Sequence, residues 1–94
     1  MNYKQAEKYY KMLANQRRLR IIKFLAKQQR ASVKEIAEKI SLSFKATSKH
    51  LLLLKNVELV DSVQISLEQY YYLRNKNNIF IKHALSILFS NSRE

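Results

Sequence analysis

The chain contains neither glycine nor proline, so every turn and every helix end must be built from residues that carry a Cβ. Average usage would place roughly six or seven Gly and four or five Pro in a chain of this length. Glycine is the residue that enters the left-handed region freely, so its absence predicts strained helix ends made with Ser, Asn, Glu or Lys. It also excludes whole function classes. A dinucleotide-binding G-x-G-x-x-G turn, a Walker A loop and a nucleophile elbow all need backbone at positive φ or pressed against phosphate. Collagen and Pro-rich ligands are excluded likewise. Cysteine is absent too, which removes disulfides, zinc fingers, thiolate metal sites and thiol-based redox or metal sensing. The Gly and Pro gap reads as codon bias, since Lys outnumbers Arg twelve to six.

At 94 residues the chain reads as one domain covering 1–94. A core of this size is marginal alone, so oligomerisation would help it. Met1-Asn2-Tyr3-Lys4 does not read as a signal peptide, and the apolar stretch Ile79–Phe89 is too short and interrupted to span a bilayer. A cytoplasmic protein with no membrane partner is expected.

The formal net charge is +11, and its distribution points to a partner. Residues 1–55 hold fourteen Lys/Arg against three Asp/Glu, whereas residues 56–94 hold four of each. Such an excess on one small domain favours a polyanion over a merely solvated surface. A membrane surface fits less well, because it would want the basic residues beside an apolar helix face with Trp or Phe.

Residues 3–14 have helical spacing through Tyr3, Ala6, Tyr9 or Tyr10, and Leu13. Asn15 reads as the N-cap of a helix from Gln16 to Gln28, where Leu19, Ile21, Ile22, Phe24 and Leu25 predict the most buried helix. Ser32-Val33-Lys34-Glu35 is a capping box, opening a short helix with Val33, Ile36, Ala37 and Ile40 on one face. Ser41-Leu42-Ser43 interrupts it, and Ser43 caps a helix over about 44–56 with Leu51, Leu53 and Leu54 toward the core. Leu59–Leu73 then alternates and predicts two short strands joined near Ile65–Glu68. With no Asn-Gly or Asp-Gly there, a loose and mobile tip is expected. Asn75–Asn78 breaks the pattern before a last helix over about 78–90, and Asn91–Glu94 reads as a frayed tail.

Helices joined by a tight turn and followed by a hairpin make a winged helix-turn-helix, mainly α with a small β-hairpin. Ala37 allows the two helices to cross closely, Leu42 fills the turn, and Ser43 starts a helix with Phe44 and Lys45 in its first turn. A recognition helix puts its N-terminal residues on base edges in the major groove, and Lys45, Lys49 and Lys55 suit that task.

The residues also resemble the ArsR-type family of small winged-helix repressors. Leu13-Ala14-Asn15-Gln16-Arg17-Arg18-Leu19-Arg20-Ile21-Ile22 is similar to that family's L-A-[DN]-x-x-R-L-x-I-[LI]. Ile36-Ala37-Glu38, Leu42-Ser43, Ala46-Thr47-Ser48-Lys49-His50-Leu51 with Leu53-Leu54, Leu59-Val60 and Tyr70-Tyr71-Tyr72-Leu73 follow in register. The resemblance covers about residues 10–75. It implies a homodimer that binds double-stranded operator DNA, with the first and last helices forming the interface. Ser41 and Glu58 stand where the family often has Gly, so these helix ends should be strained at roughly 1 kcal/mol each. Family wings are commonly Arg-rich, whereas Asp61–Gln69 contains no basic residue. The recognition helix and the N-terminal basic residues are therefore expected to dominate DNA contact.

The candidate DNA-binding residues are Ser43, Phe44, Lys45, Ala46, Thr47, Lys49, His50 and Lys55, with Arg17 and Arg18. Either one or two of Arg17, Arg18 and Arg20 reach the phosphate backbone, or the three only solvate a helix face. Phe44 reads as exposed, either against a thymine methyl or in local packing. His50 either donates to a phosphate or packs the helix. Ile79–Phe89 is apolar on both wide faces, more than one core needs, which predicts a dimer interface through Phe80, Ala84, Leu85, Ile87 and Leu88, with Tyr3 and Tyr10 from the first helix. The Tyr pairs Tyr9-Tyr10 and Tyr70-Tyr72 more often complete a core or interface than stack bases. His83 reads as a surface or interface residue, because one His without a neighbouring carboxylate makes a poor metal site. No metal, cofactor or catalytic constellation is expected. The rival reading is a protein-interaction module using the apolar wing residues Val63, Ile65 and Leu67, with weak or non-specific nucleic-acid binding. RNA binding is a third.

Overall fold

A computed structural model describes residues 1–90; the expected frayed tail at Asn91–Glu94 lies outside the described residues. The chain runs α1 (Tyr3–Leu13), α2 (Gln16–Gln28), β1 (Arg30–Ser32), α3 (Val33–Ile40), α4 (Phe44–Asn56), β2 (Val60–Ile65), β3 (Glu68–Leu73) and α5 (Ile79–Ser90). This is a winged helix-turn-helix with an added strand. The helix starts follow from local side chains that satisfy otherwise orphaned N–H groups. Arg18 N donates to Asn15 Oδ1 at 3.0 Å, and Ala46 N donates to Ser43 Oγ at 3.1 Å. The Ser32–Glu35 capping box closes in both directions, at 3.1 and 2.8 Å. Asn78 Oδ1 accepts from Phe80 N and Ile81 N to start α5. Asn2 and Gln5 form a second capping box at α1 that the sequence reading overlooked.

The helix ends show how the chain manages without glycine. Ser41, just past α3, is left-handed at φ 55° and ψ 51°. Its N–H reaches Glu38 O, and Leu42 N–H reaches back to Ala37 O. Glu58, just past α4, repeats this pair of bonds at φ 63°, with its N–H to Lys55 O and Leu59 N–H to Leu54 O. Both are Schellman closures, and each is followed by a Leu that packs inward. The strain expected at Ser41 and Glu58 is present, and Gln29 (φ 68°) and Ser66 (φ 57°) add two more positive-φ positions. Gln29 N–H makes a single bond to Leu25 O as α2 turns into β1.

The sheet has the order β1-β3-β2, with both pairs antiparallel. β1 was not foreseen. Its three residues pair Arg30 with Tyr72, Ala31 with Tyr71 and Ser32 with Tyr70, and three residues are too few to show a period. The hairpin tip also differs from expectation. Ile65 pairs with Glu68, so the connection is only Ser66-Leu67 and is tight rather than loose. A positive φ at the first central residue alone is the pattern of a type II′ turn, here held by serine.

The core gathers Ile21, Ile22 and Leu25 of α2, Ile36 and Ile40 of α3, Leu51 and Leu54 of α4, Leu59, Val60, Tyr71, Leu73 and Ile81. The prediction for α4 needs one correction: Leu53 is exposed. It lies two residues from Leu51, a rotation of about 200°. The inward stripe is instead Thr47, Leu51 and Leu54.

Candidate nucleic-acid interface

The turn Ser41-Leu42-Ser43 presents the start of α4 to solvent. Lys45 and Lys49 are exposed one turn apart, Ala46 is half-buried beside them, and Ser43 is exposed while capping the helix. Phe44 is 61% exposed, so it does not pack locally. Neither α2 nor α4 contains a carboxylate, and the N-terminal end of α4 adds its own positive dipole. This surface attracts anions and offers side chains of mixed donor and apolar character.

Thr47 does not belong to it. Its side chain is fully buried and its Oγ1 has no hydrogen-bond partner. The spacing of four from Leu51 puts Thr47 on the core face, which overturns its assignment to the groove.

Arg17 is exposed at the start of α2, but Arg18 is half-buried. Arg18 Nη1 lies 3.0 Å from Met12 Sδ, and its Nε is buried without a partner. His50 of α4 lies close enough to Arg18 and Arg17 to feel their charge. Burial first, then the positive charge of Arg18 and of Arg17, holds its pKa below the ordinary histidine value. The imidazole is therefore neutral at pH 7, and its Nδ1 is buried without a partner. Arg17, exposed at the start of α2, is therefore the freer cation of this edge.

Lys55 is also tied inside the molecule. Its Nζ donates to Ser62 Oγ at 2.8 Å and lies 3.9 Å from Asp61 Oδ1. The lysine links α4 to the base of the wing while remaining exposed, and nothing in the local sequence pattern signalled those partners. The wing itself carries Val63 and Ile65 exposed, and Leu67 at its tip 93% exposed.

The residues expected at an interface between copies divide into two groups. Phe80 is half-buried within its own protomer, stacked on Tyr9 at 4.8 Å and edge-on to Tyr10 at 5.2 Å. Leu85 packs against the core, and Ala84 and Leu88 are half-buried. Tyr3 and Ile87 are open to solvent, as is most of Tyr10. Ile79 and Phe89, not in the predicted set, are exposed as well. His83 is exposed, and among the described residues no group of three His, Cys, Asp or Glu is placed to hold a metal. No helix of the described residues is long and apolar enough to cross a membrane.

The model of the family described as bacterial regulatory protein, arsR family, matches residues 15–62, from the cap of α2 into β2. Among solved structures, HlyU from Vibrio cholerae N16961 is 28% identical with a TM-score of 0.80, covering 97% of this chain and 100% of that one. The transcriptional regulator HlyU from Vibrio vulnificus CMCP6 is 33% identical with a TM-score of 0.76, covering 93% of this chain and 86% of its own. Mb0332 from Mycobacterium bovis, a homodimeric winged helix-turn-helix DNA-binding domain and possible ArsR-family regulator, is 28% identical. Its TM-score is 0.77, over 90% of this chain and 75% of that one. No curated protein sequence matches.

Proposed function

The chain belongs to the arsR family of bacterial regulatory proteins, and from that premise we propose that it is a homodimeric, sequence-specific repressor that binds double-stranded DNA. The observation that carries this reading is the start of α4. Lys45 and Lys49 stand exposed beside Phe44, Arg17 is exposed at the start of α2, and no carboxylate occurs on either helix. Ser43, Phe44, Lys45, Ala46 and Lys49 meet the major groove, with Phe44 able to touch a thymine methyl. Arg17 meets a flanking phosphate. His50, half-buried on α4 with its pKa lowered, supports the helix rather than neutralising a phosphate.

The described residues act as one DNA-binding unit, with α1 and α5 as dimerisation helices. Tyr3, Ile79 and Ile87 are 96%, 71% and 57% exposed, which leaves an apolar surface that a second copy would cover. The homodimeric state of the Mycobacterium bovis domain supports the same arrangement. Two recognition helices then read half-sites about one helical turn, roughly 34–36 Å, apart. The chain contains no cysteine, so repression is relieved by something other than a thiol-based sensor.

A second reading rests on the exposed Val63, Ile65 and Leu67 of the wing: an interaction module that grips a protein through this apolar edge. Anisotropy binding to a genomic DNA pool across a salt series separates the two. The repressor enriches a sequence, and its affinity falls steeply with salt. Lys45→Ala and Lys49→Ala each weaken binding and relax the sequence preference, whereas Arg17→Ala weakens binding to all sequences and reduces the salt slope by about 1. Binding that ignores salt and enriches no sequence overturns the repressor reading.

A further inference from the structure

A cleft of about 610 Å³ opens between α2, the end of α3 and α5, and its lining includes none of the residues assigned to DNA. Arg20, Lys23 and Lys27 line it from α2, and Lys39 lines it from α3. No acidic residue lines it, and among the described residues none of these four cations makes an ion pair. Lys23 Nζ and Lys27 Nζ lie instead over the ring of Phe89, at 5.4 and 5.9 Å from its centroid. That contact is a weak substitute for an anion. Between the cations the wall is apolar, with Phe24, Ile40 and Leu88. The volume falls in the usual range for small-molecule sites, roughly 300–1,000 Å³.

We propose that this cleft binds an amphipathic organic anion, an apolar body with one carboxylate-type head. The cations select the head, since charge-assisted hydrogen bonds from Lys and Arg to a carboxylate are among the strongest available. The apolar wall selects the body, and a bare phosphodiester would leave it uncovered. The same cleft spans two parts of the molecule that matter for regulation. Lys39 and Ile40 immediately precede the Ser41–Ser43 turn, and Leu88 sits on the helix assigned to dimerisation. An occupant therefore bridges the helix-turn-helix and α5. This regulatory consequence rests on the DNA-binding reading proposed above, whereas the binding itself does not.

Titration calorimetry of the full chain with decanoate, 1-decanol and acetate tests the site. Decanoate saturates at one site per protomer, and both other probes, lacking either the head or the body, bind at least tenfold more weakly. Lys23→Gln combined with Lys27→Gln weakens decanoate at least tenfold, and Lys39→Gln independently weakens it with the circular-dichroism spectrum unchanged. The double variant keeps its DNA affinity in the absence of decanoate. Saturating decanoate lowers the DNA affinity of the unmodified chain threefold or more. Decanoate binding that does not saturate, or that is the same in the variants, overturns the proposal. So does a double variant that loses DNA binding but keeps decanoate, which would make these cations phosphate contacts. The chain carrying Lys45→Ala and Lys49→Ala separates the two readings: it keeps decanoate binding whatever the fate of the DNA-binding reading.

Discussion

Replacing Ser41 by glycine should make the protein more stable, although it removes a side chain from the turn between α3 and α4. Ser41 holds φ 55° and ψ 51°, where an L-residue suffers a clash between Cβ and the following carbonyl worth about 1–2 kcal/mol. Its N–H is already bonded to Glu38 O, and no hydrogen bond of its hydroxyl occurs among the described residues, so Ser41→Gly leaves the Schellman bonds in place. Glycine adds about 0.4–1 kcal/mol of conformational freedom to the unfolded chain, which offsets part of the gain. The net stabilisation is about 0.5–1 kcal/mol. Unfolding entropy of about 2.1 cal/mol/K per residue gives roughly 0.2 kcal/mol/K for this chain, so Tm should rise by about 2–5 °C. Ala14→Gly is the control. Ala14 ends α1 at φ −80°, where glycine relieves nothing, and this variant should lose about 0.4–1 kcal/mol. Urea unfolding followed by circular dichroism at one fixed protomer concentration compares the two, because association would otherwise shift the midpoint. A Ser41→Gly protein that is no more stable than the parent, or that moves in the same direction as Ala14→Gly, refutes the reasoning.

Thr47→Val replaces a buried, unpartnered hydroxyl with a methyl group, so stability should rise by about 1 kcal/mol in urea unfolding with DNA affinity unchanged. A loss of DNA affinity would return Thr47 to the groove. His50 binds its proton less tightly in the folded chain than in the unfolded one. Its contribution is therefore intact above the ordinary histidine value of about 6.5 and is lost as pH falls through the lower folded-state value. His50→Gln should flatten that acid-side decline in urea midpoints measured from pH 8 to pH 5, and an unchanged decline would assign it to other groups. Ile87→Glu places a charge on the exposed face of α5; sedimentation should show a dimer becoming a monomer at micromolar concentration, with secondary structure retained.

What the sequence determined by itself is what depends on neighbours within about four residues. Asn15, Ser32, Ser43 and Asn78 announce helix starts because the N–H groups they satisfy lie two or three residues ahead. The left-handed ends at Ser41 and Glu58 were legible because they stand where the family that the sequence resembles often has Gly, whereas Gln29 and Ser66 carried no such mark. The crowding of cations into residues 1–55 is a property of the sequence alone, and the helix-turn-helix spacing pointed to an anionic polymer before any contact was known. The tertiary structure decided what depends on distant partners. In Leu51-Leu52-Leu53-Leu54 every residue is apolar, so the sequence carries no helical phase, and only packing turned Leu51 and Leu54 inward and Leu53 out. The same rotation buried Thr47 within a stretch that otherwise reads as DNA-facing. β1 exists because Ala31 and its neighbours find β3 some forty residues later, and no local period foretells a three-residue strand. Only folding brought Ser62 and Asp61 of the wing to the Lys55 ammonium. The cleft of Arg20, Lys23, Lys27 and Lys39 has no sequence signature either, since it forms only where α2, α3 and α5 meet. Backbone caps are local chemistry, whereas burial, ion pairing and concavity belong to surfaces that the chain assembles only on folding.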